Sequence, residues 1–240
     1  PDSFIRSTLQ FYIENAFEYG TVLHQSLEVQ RARYDVDSLT AFQVRARELE
    51  RQGRGLVVLG GHLGNTEHMS YPLVCVGMPV AALYSRSRQP ALENAILRLR
   101  SQWGLDMCPA DLSGVRRLYT CLRRGGMVAM LADQRPGRRV QRAYAPFLGC
   151  EGLSPAILPE LIRRTGCAVL AMAVIRGEGG RLEVIYNEVD EAIADPDDEV
   201  AVTAQNDAIS RLISRAPEQY FWHYRRFTRR RVEPRNPYKD

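Results

Sequence analysis

The sequence predicts a single-domain α/β fold in which a mixed, mostly parallel central sheet is flanked by helices. Three observations lead there. Leu56-Val57-Val58-Leu59, Val80-Ala81-Ala82-Leu83-Tyr84 and Met127-Val128-Ala129-Met130-Leu131 are short apolar runs introduced by Gly55, Pro79 and Gly126, the pattern of strands buried on both faces. Segments with apolar residues at helical spacing separate these runs. The 240 residues, 45% of them hydrophobic, suffice for one sizeable core and give no reason to divide the chain. We read N-terminal helices over 1–52, an α/β core over 53–216 and a basic aromatic tail over 217–240.

Taken in order, the stretch from Ser3 to about Gln30 spaces Ile5, Leu9, Tyr12, Ile13, Ala16 and Phe17 as one helical face. Packing of that face on the core is the expected use. The rival use is a helix lying on a bilayer, with Phe4, Phe11 and Tyr19 as interfacial aromatics. A helix from Ser38 or Thr40 to Arg51, closed by Gly53, leads into the first strand. After the second strand, Pro90 suits the first position of a helix carrying Leu92, Ile96, Leu97 and Leu99 to about Gln102. Asp111 is the natural N-cap of a helix through Arg124 that Gly125-Gly126 ends. Ser154-Pro155 reads as N-cap and first residue of a helix through Ile162 to Gly166, with Pro159 expected as a kink. Ala168–Ile175 and Arg181–Tyr186, joined by Gly177-Glu178-Gly179-Gly180, pair as a hairpin. A last helix starts near Pro196, capped by Asp195, and shows Val200, Ile209, Leu212 and Ile213 on one side.

Composition narrows the class. Cys75, Cys108, Cys121, Cys150 and Cys167 are scattered, odd in number and without C-x-x-C spacing, which argues against a disulfide framework and a zinc site. His62, Glu67 and His68 match no usual zinc spacing, so no metal is expected. The net charge is +4, and Lys239 is the only lysine beside many arginines. Such a bias fits either anionic headgroup recognition or the base composition of a genome. The longest uncharged stretch, Met69 to Ser85, is broken by Pro72, Gly77 and Pro79, which disfavours a membrane-spanning helix.

The chemistry concentrates in Gly60-Gly61-His62-Leu63-Gly64-Asn65-Thr66-Glu67-His68, directly after the first strand. In open α/β sheets ligands gather at the carboxyl ends of strands. Glycines around His62 let another molecule approach the imidazole. Glu67, five residues on, meets His62 only if the chain bends at Gly64-Asn65-Thr66, where Asn65 or Thr66 is a plausible N-cap. A histidine touching a carboxylate is the smallest unit that takes a proton from a hydroxyl, and His62 with Glu67 is the pair expected here. The plain alternative is a strand-turn-helix corner whose histidine caps a helix. Arg86 and Arg88 stand at the end of the second strand, placed to hold an anion or to face water. Asp133 follows the third strand, where burial demands a partner, either a nearby arginine or the acceptor. The basic run Arg135, Arg138, Arg139 and Arg142 comes next, as a solvated loop or a headgroup site.

Six residues carry a resemblance. His62-Leu63-Gly64-Asn65-Thr66-Glu67 resembles the H-F-G-N-W-E block of the lipid A late acyltransferases, the lauroyl and myristoyl transferases of Gram-negative bacteria, whose superfamily shares H-x-x-x-x-D/E. Further blocks match in order. Tyr84-Ser85-Arg86 through Pro90 is similar to Y-R-P, Ala132-Asp133-Gln134 with Pro146-Phe147-Leu148-Gly149 to D-Q-D and P-F-F-G, and Pro217-Glu218-Gln219-Tyr220-Phe221-Trp222 to P-E-Q-W-x-W. Thr66 stands in place of Trp, Arg135 in place of the second acid of D-Q-D, and Ser85 interrupts Y-R-P. These departures touch the acceptor side more than the acyl transfer.

The resemblance implies a glycerolipid-acyltransferase-like fold. It also implies transfer of an acyl chain from an acyl carrier protein or coenzyme A thioester to a hydroxyl of a lipid A-like or other membrane lipid, such as a glycerolipid or lysophospholipid. His62 and Glu67 would be catalytic, and Asn65, Arg86, Arg88, Asp133, Arg135 and Arg138 would bind substrate. Backbone amides of the glycine turn, or Arg86, would serve the oxyanion. No cofactor beyond the acyl donor is implied. The partners would be acyl carrier protein, the lipid acceptor and the cytoplasmic face of the inner membrane, with the family's N-terminal membrane helix lying upstream of Pro1 or lacking.

Two other readings stand beside it. Gly152-Leu153-Ser154-Pro155-Ala156 is similar to a degraded nucleophile elbow and would make the chain a serine hydrolase. A catalytically silent member would keep only lipid binding. The tail from Tyr220 to Arg231 interleaves five aromatics with five arginines, a pattern for a bilayer interface, for rings that cover the sheet, or for nucleic acid, which is not the expected partner.

Overall fold

The computed structural model of the chain describes residues 2–19, 21–84, 89–137, 140–233 and 236–238. The three apolar runs form β1 (Leu56–Gly60), β2 (Val80–Tyr84) and β4 (Met127–Leu131). Between the last two lies β3 (Leu105–Pro109), which sequence reasoning missed. Its Asp106 is exposed and Pro109 closes it, as an edge strand tolerates. β5 (Arg142–Phe147) and β6 (Cys150–Pro155) form a separate antiparallel hairpin. β7 (Ala168–Arg176) and β8 (Leu182–Glu188) complete the main sheet, whose order is β3-β2-β4-β1-β7-β8. Every pairing in it is parallel except the β7–β8 hairpin.

Alternation along β1 decides what each face holds. Val57 and Leu59 enter one core with Leu118, Leu161, Ile209 and Leu212, while Leu56 and Val58 enter the other with Phe42, Ala46 and Leu73. The helices among the described residues are α1 (Asp2–Tyr19), α2 (Leu27–Arg33), α3 (Val36–Glu50), α4 (Ser70–Cys75), α5 (Pro90–Ser101), α6 (Leu112–Arg123), α7 (Ile157–Thr165) and α8 (Asp198–Ile213). The first core thus lies under α6, α7 and α8, the second under α3 and α4. Leu59 has no exposed surface, and truncating such a leucine to alanine costs about 2–5 kcal/mol.

Several starts differ from expectation. Asp35 caps α3 by accepting from the Ser38 amide at 2.8 Å, ahead of the expected Ser38 or Thr40. Asp197 caps α8 by accepting from Glu199 at 2.8 Å, two residues past the expected Asp195. Asp111 caps α6 and Pro90 opens α5 as read. Ser154 belongs to β6, and α7 begins at Ile157. Pro159 then sits in the first turn, where an amide has no intrahelical partner, so it removes no helical bond.

The apolar face of α1 does not pack on the core. Ile5, Leu9, Ile13 and Phe17 are 54%, 55%, 60% and 80% exposed. The opposite face, together with Tyr12 at the edge of the stripe, does the anchoring. Phe11 and Thr8 are buried, the Tyr12 hydroxyl donates to Tyr220 O at 2.9 Å, and Glu18 pairs with Arg33, Arg176 and His68. Burial opposes the charge of Glu18, but hydrogen bonds from His68, Arg176 and Arg33 hold its carboxyl well below the usual range. Polar anchors on one side therefore free the apolar side to face outward.

Candidate active site

β1 and β4 are adjacent and parallel, with Gly60 opposite Leu131. The ladder runs one bond further, from the Ala132 amide to Gly60 O at 3.1 Å. The next residue of each chain on this rim of the sheet is functional in type: His62 after Gly61, Asp133 after Ala132. The His62 amide donates to Asp133 Oδ2 at 2.9 Å, and His62 Nδ1 lies 2.7 Å from Asp133 Oδ1. A Cβ on Gly61 would lie 2.8 Å from Ile209 Cγ2, so glycine is what lets the strand end come this close to α8.

The imidazole is 27% exposed and the Asp133 side chain 2%. Burial disfavours the charge on Asp133, yet the hydrogen bond and charge of His62 and the bond from Tyr220 hold its carboxyl below the ordinary aspartate value. Tyr220 donates to Oδ2 at 3.1 Å. With Oδ1 on Nδ1, the proton of a neutral imidazole belongs on Nδ1, and Nε2 is the basic atom. Gln134 Nε2 lies 3.2 Å from that Nε2, and the Phe221 ring sits beside the imidazole at 5.7 Å.

The chain then turns sharply. Gly64 takes a φ of +66°, and a Cβ there would fall 2.0 Å from Val174 O. Asn65 caps a single 3-10 turn, Thr66–Met69, by accepting from the Glu67 amide at 3.1 Å. The corner is strapped by 217–222: the Phe221 amide donates to His62 O at 3.1 Å and the Gly64 amide to Gln219 O at 3.0 Å. Gln219 is itself held to Arg176 by paired bonds of 2.8 Å.

Glu67 does not reach His62. Its carboxylate is 1% exposed and is gripped in two places by Arg100 of α5, Nε donating to Oε2 at 3.0 Å and Nη2 to Oε1. The carboxylate that the sequence reading placed on His62 is thus Asp133, and Glu67 instead ties the corner to α5.

Residues 1–229 match the family described as bacterial lipid A biosynthesis acyltransferase. The chain belongs to that family. It is 27% identical over 207 residues, 84% of its length, to the lipid A biosynthesis palmitoleoyltransferase of Escherichia coli and, with the same figures, to a lipid A biosynthesis acyltransferase of Shigella flexneri. A lipid A biosynthesis acyltransferase of Haemophilus influenzae is 24% identical over 176 residues, 73% of the chain. The chain spans 64% of the first two relatives and 54% of the third.

In this lipid A acyltransferase family member the other expected site residues fare unevenly. Asn65 is 5% exposed and its Oδ1 is occupied by the cap, so it shapes the corner, while its Nδ2 is buried without a hydrogen-bond partner. Asp133 is buried behind His62, and among the described residues no arginine side chain pairs with it. Arg135 is half-buried at the rim, its amide donating to the Tyr224 hydroxyl at 3.1 Å. Arg86, Arg88, Arg138 and Arg139 lie outside the described residues. Ser154 has no exposed surface, accepts from Asn206 and Arg226, and sits in a strand. That geometry removes the nucleophile-elbow reading. Sequence reasoning missed Arg100, gave Gln134 no role of its own, and read Tyr220 only as an aromatic of the tail and of the closing motif. Asp133 and Gln134 reach His62 only through the β1–β4 pairing, which no local pattern in the sequence shows, and nothing local pointed to Arg100.

Proposed function

We propose that this chain moves a fatty acyl group from a thioester, carried by acyl carrier protein or coenzyme A, to a hydroxyl of a lipid A-like membrane lipid. The observation that carries the reading is the His62 imidazole, 27% exposed and fixed at Nδ1 by the buried carboxylate of Asp133. Nε2 takes the acceptor proton as the oxygen attacks the thioester carbonyl. Asp133 stabilises the imidazolium, and the same proton passes to the departing thiolate as the carbon–sulfur bond breaks. Gln134 occupies the space beside Nε2, so its amide turns aside when the acceptor enters and is a candidate donor to the carbonyl oxygen. No covalent enzyme intermediate is needed.

The reaction's place is part of the same reading. No helix of the described residues is long and apolar enough to cross a membrane. The outward face of α1, with Trp222 edge-on to Phe4 at 6.5 Å, supports peripheral attachment to the inner membrane at its cytoplasmic face. Arg225 and Arg229 are exposed in the same tail and suit anionic headgroups.

The test is acyl transfer by the purified chain from acyl carrier protein and coenzyme A thioesters to an underacylated lipid A precursor and to a lysophospholipid, read by mass spectrometry. Transfer that is lost in a folded His62→Ala variant supports the reading. Lipid binding without turnover for any pair of substrates would make the chain a silent member of its family.

A further inference from the structure

The tail segment that carries Tyr220 also buries a charge. Arg226 is 3% exposed, and among the described residues no carboxylate stands within ion-pair reach of it. Nη1 donates to Leu153 O at 2.6 Å, Nη2 to Ser154 Oγ at 2.5 Å, and the guanidinium carbon lies 5.2 Å from the centre of the Phe147 ring. Nε is buried without a partner. A guanidinium held only by neutral acceptors is costly inside a protein unless an opposite charge lies close enough to balance it.

The Phe147 ring and Tyr220 connect Arg226 to the nearest such charge on this wall, the carboxylate of Asp133. Tyr220 is 4% exposed and packs against Phe147 at 6.3 Å, so it shares a wall with Arg226 while donating to Asp133. His62, Asp133 and Tyr220 follow one another by hydrogen bonds, Phe147 joins Tyr220 to Arg226, and of the four polar groups only the imidazole is more than 5% exposed. We infer that Tyr220 and Arg226 are positioning residues for the His62–Asp133 pair: Tyr220 fixes the rotation that presents Oδ1 to Nδ1, and Arg226 balances the carboxylate from behind.

The inference rests on the general-base reading of His62 for its consequence in catalysis, but the electrostatic link can be read without substrate. Removing the Tyr220 hydroxyl leaves Oδ2 without that donor, and removing the Arg226 charge leaves the carboxylate unbalanced. Either change makes Asp133 a stronger base and favours the imidazolium. The other titratable groups that face this set are Tyr12 of α1, whose hydroxyl donates to Tyr220 O, and Arg135 with Tyr224, whose hydroxyl accepts from the Arg135 amide. None of these is altered in the variants below.

The experiment is an NMR titration of the imidazole C–H signals, with His62 assigned by its loss in His62→Ala, run beside a pH profile of kcat/KM. In Tyr220→Phe and Arg226→Met, His62 is expected to titrate about one pH unit higher than in the wild type, a tenfold change in the fraction of free base on the acidic side. The acidic limb of the rate profile moves with it. Arg226→Lys keeps the charge and keeps both near the wild-type position. A purely structural anchor would lower activity evenly at every pH, and an unmoved His62 titration in the folded variants overturns the inference. If Arg226→Met does not fold, Tyr220→Phe decides the matter. A shifted titration in a protein that transfers no acyl group upholds the positioning role while removing the acyltransferase reading.

Discussion

His62 Nδ1 and Asp133 Oδ1 stand 2.7 Å apart although 71 residues separate them in sequence. Asp133→Asn keeps the shape and exchanges the acceptor for a group that can donate to Nδ1, which favours the wrong tautomer. Transfer should fall by about 10³- to 10⁴-fold with the fold intact, read by kcat and circular dichroism.

The same carboxylate makes a stability prediction with a definite sign. Its folded value lies below the ordinary aspartate value, so the folded state binds fewer protons than the unfolded chain. The stabilisation is present above the unfolded value of about 4 and is lost as pH falls through the folded one. Urea midpoints should therefore drop on acidification below about pH 4, and the drop should be shallower in Asp133→Asn. Equal slopes would mean that the carboxylate contributes nothing to acid sensitivity.

Glu67 is 1% exposed and is held in a two-pronged ion pair by the partly exposed Arg100, so Arg100→Ala strands a buried carboxylate. That change should cost about 3–5 kcal/mol, Glu67→Ala less, and the double change less than their sum. Thermal or denaturant unfolding of the full cycle measures this. Strict additivity would show that the two side chains do not act as a unit. Loss of transfer in Glu67→Ala is then to be weighed against loss of the corner, since Glu67 has no contact with the imidazole.

What was legible in the sequence, and what was not, follows from range. The strands at Leu56, Val80 and Met127 could be read because burial on both faces leaves a continuous apolar run. The Gly64-Asn65-Thr66 bend could be read because a left-handed glycine and an asparagine cap act within three residues. The partner of His62 could not, because β4 inserts beside β1 after two intervening strands, and only that topology brings Asp133 to the same rim. A nearby Glu67 was the natural substitute, and its actual partner lies 33 residues away. Helical spacing in α1 showed an apolar face but not its direction. That direction is set by Tyr12 and Glu18, whose partners Tyr220, Arg33, Arg176 and His68 are scattered along the chain.

Ser154 accepts hydrogen bonds from Asn206 at 3.0 Å and from Arg226 at 2.5 Å, both buried. Ser154→Ala leaves two donors without that acceptor and should cost about 1–3 kcal/mol by denaturant unfolding. Esterase activity on short-chain esters should be unaffected. A selective loss of esterase activity with no change in stability would restore the hydrolase reading.

The outward stripe of α1 can be tested without disturbing the core, because Leu9, Ile13 and Phe17 are more than half exposed. Substituting each by serine removes apolar area that a bilayer would bury, at about 1.5–3 kcal/mol per side chain. Allowing for incomplete insertion, each change should weaken partition into vesicles of phosphatidylethanolamine and phosphatidylglycerol by about tenfold, while melting temperature stays near the wild-type value. Salt should weaken the arginine contribution and leave the apolar one in place. Undiminished vesicle binding by the triple variant would move the membrane contact off α1. A shift from dimer to monomer in the same variant, seen by sedimentation, would instead make this face a contact between copies of the chain.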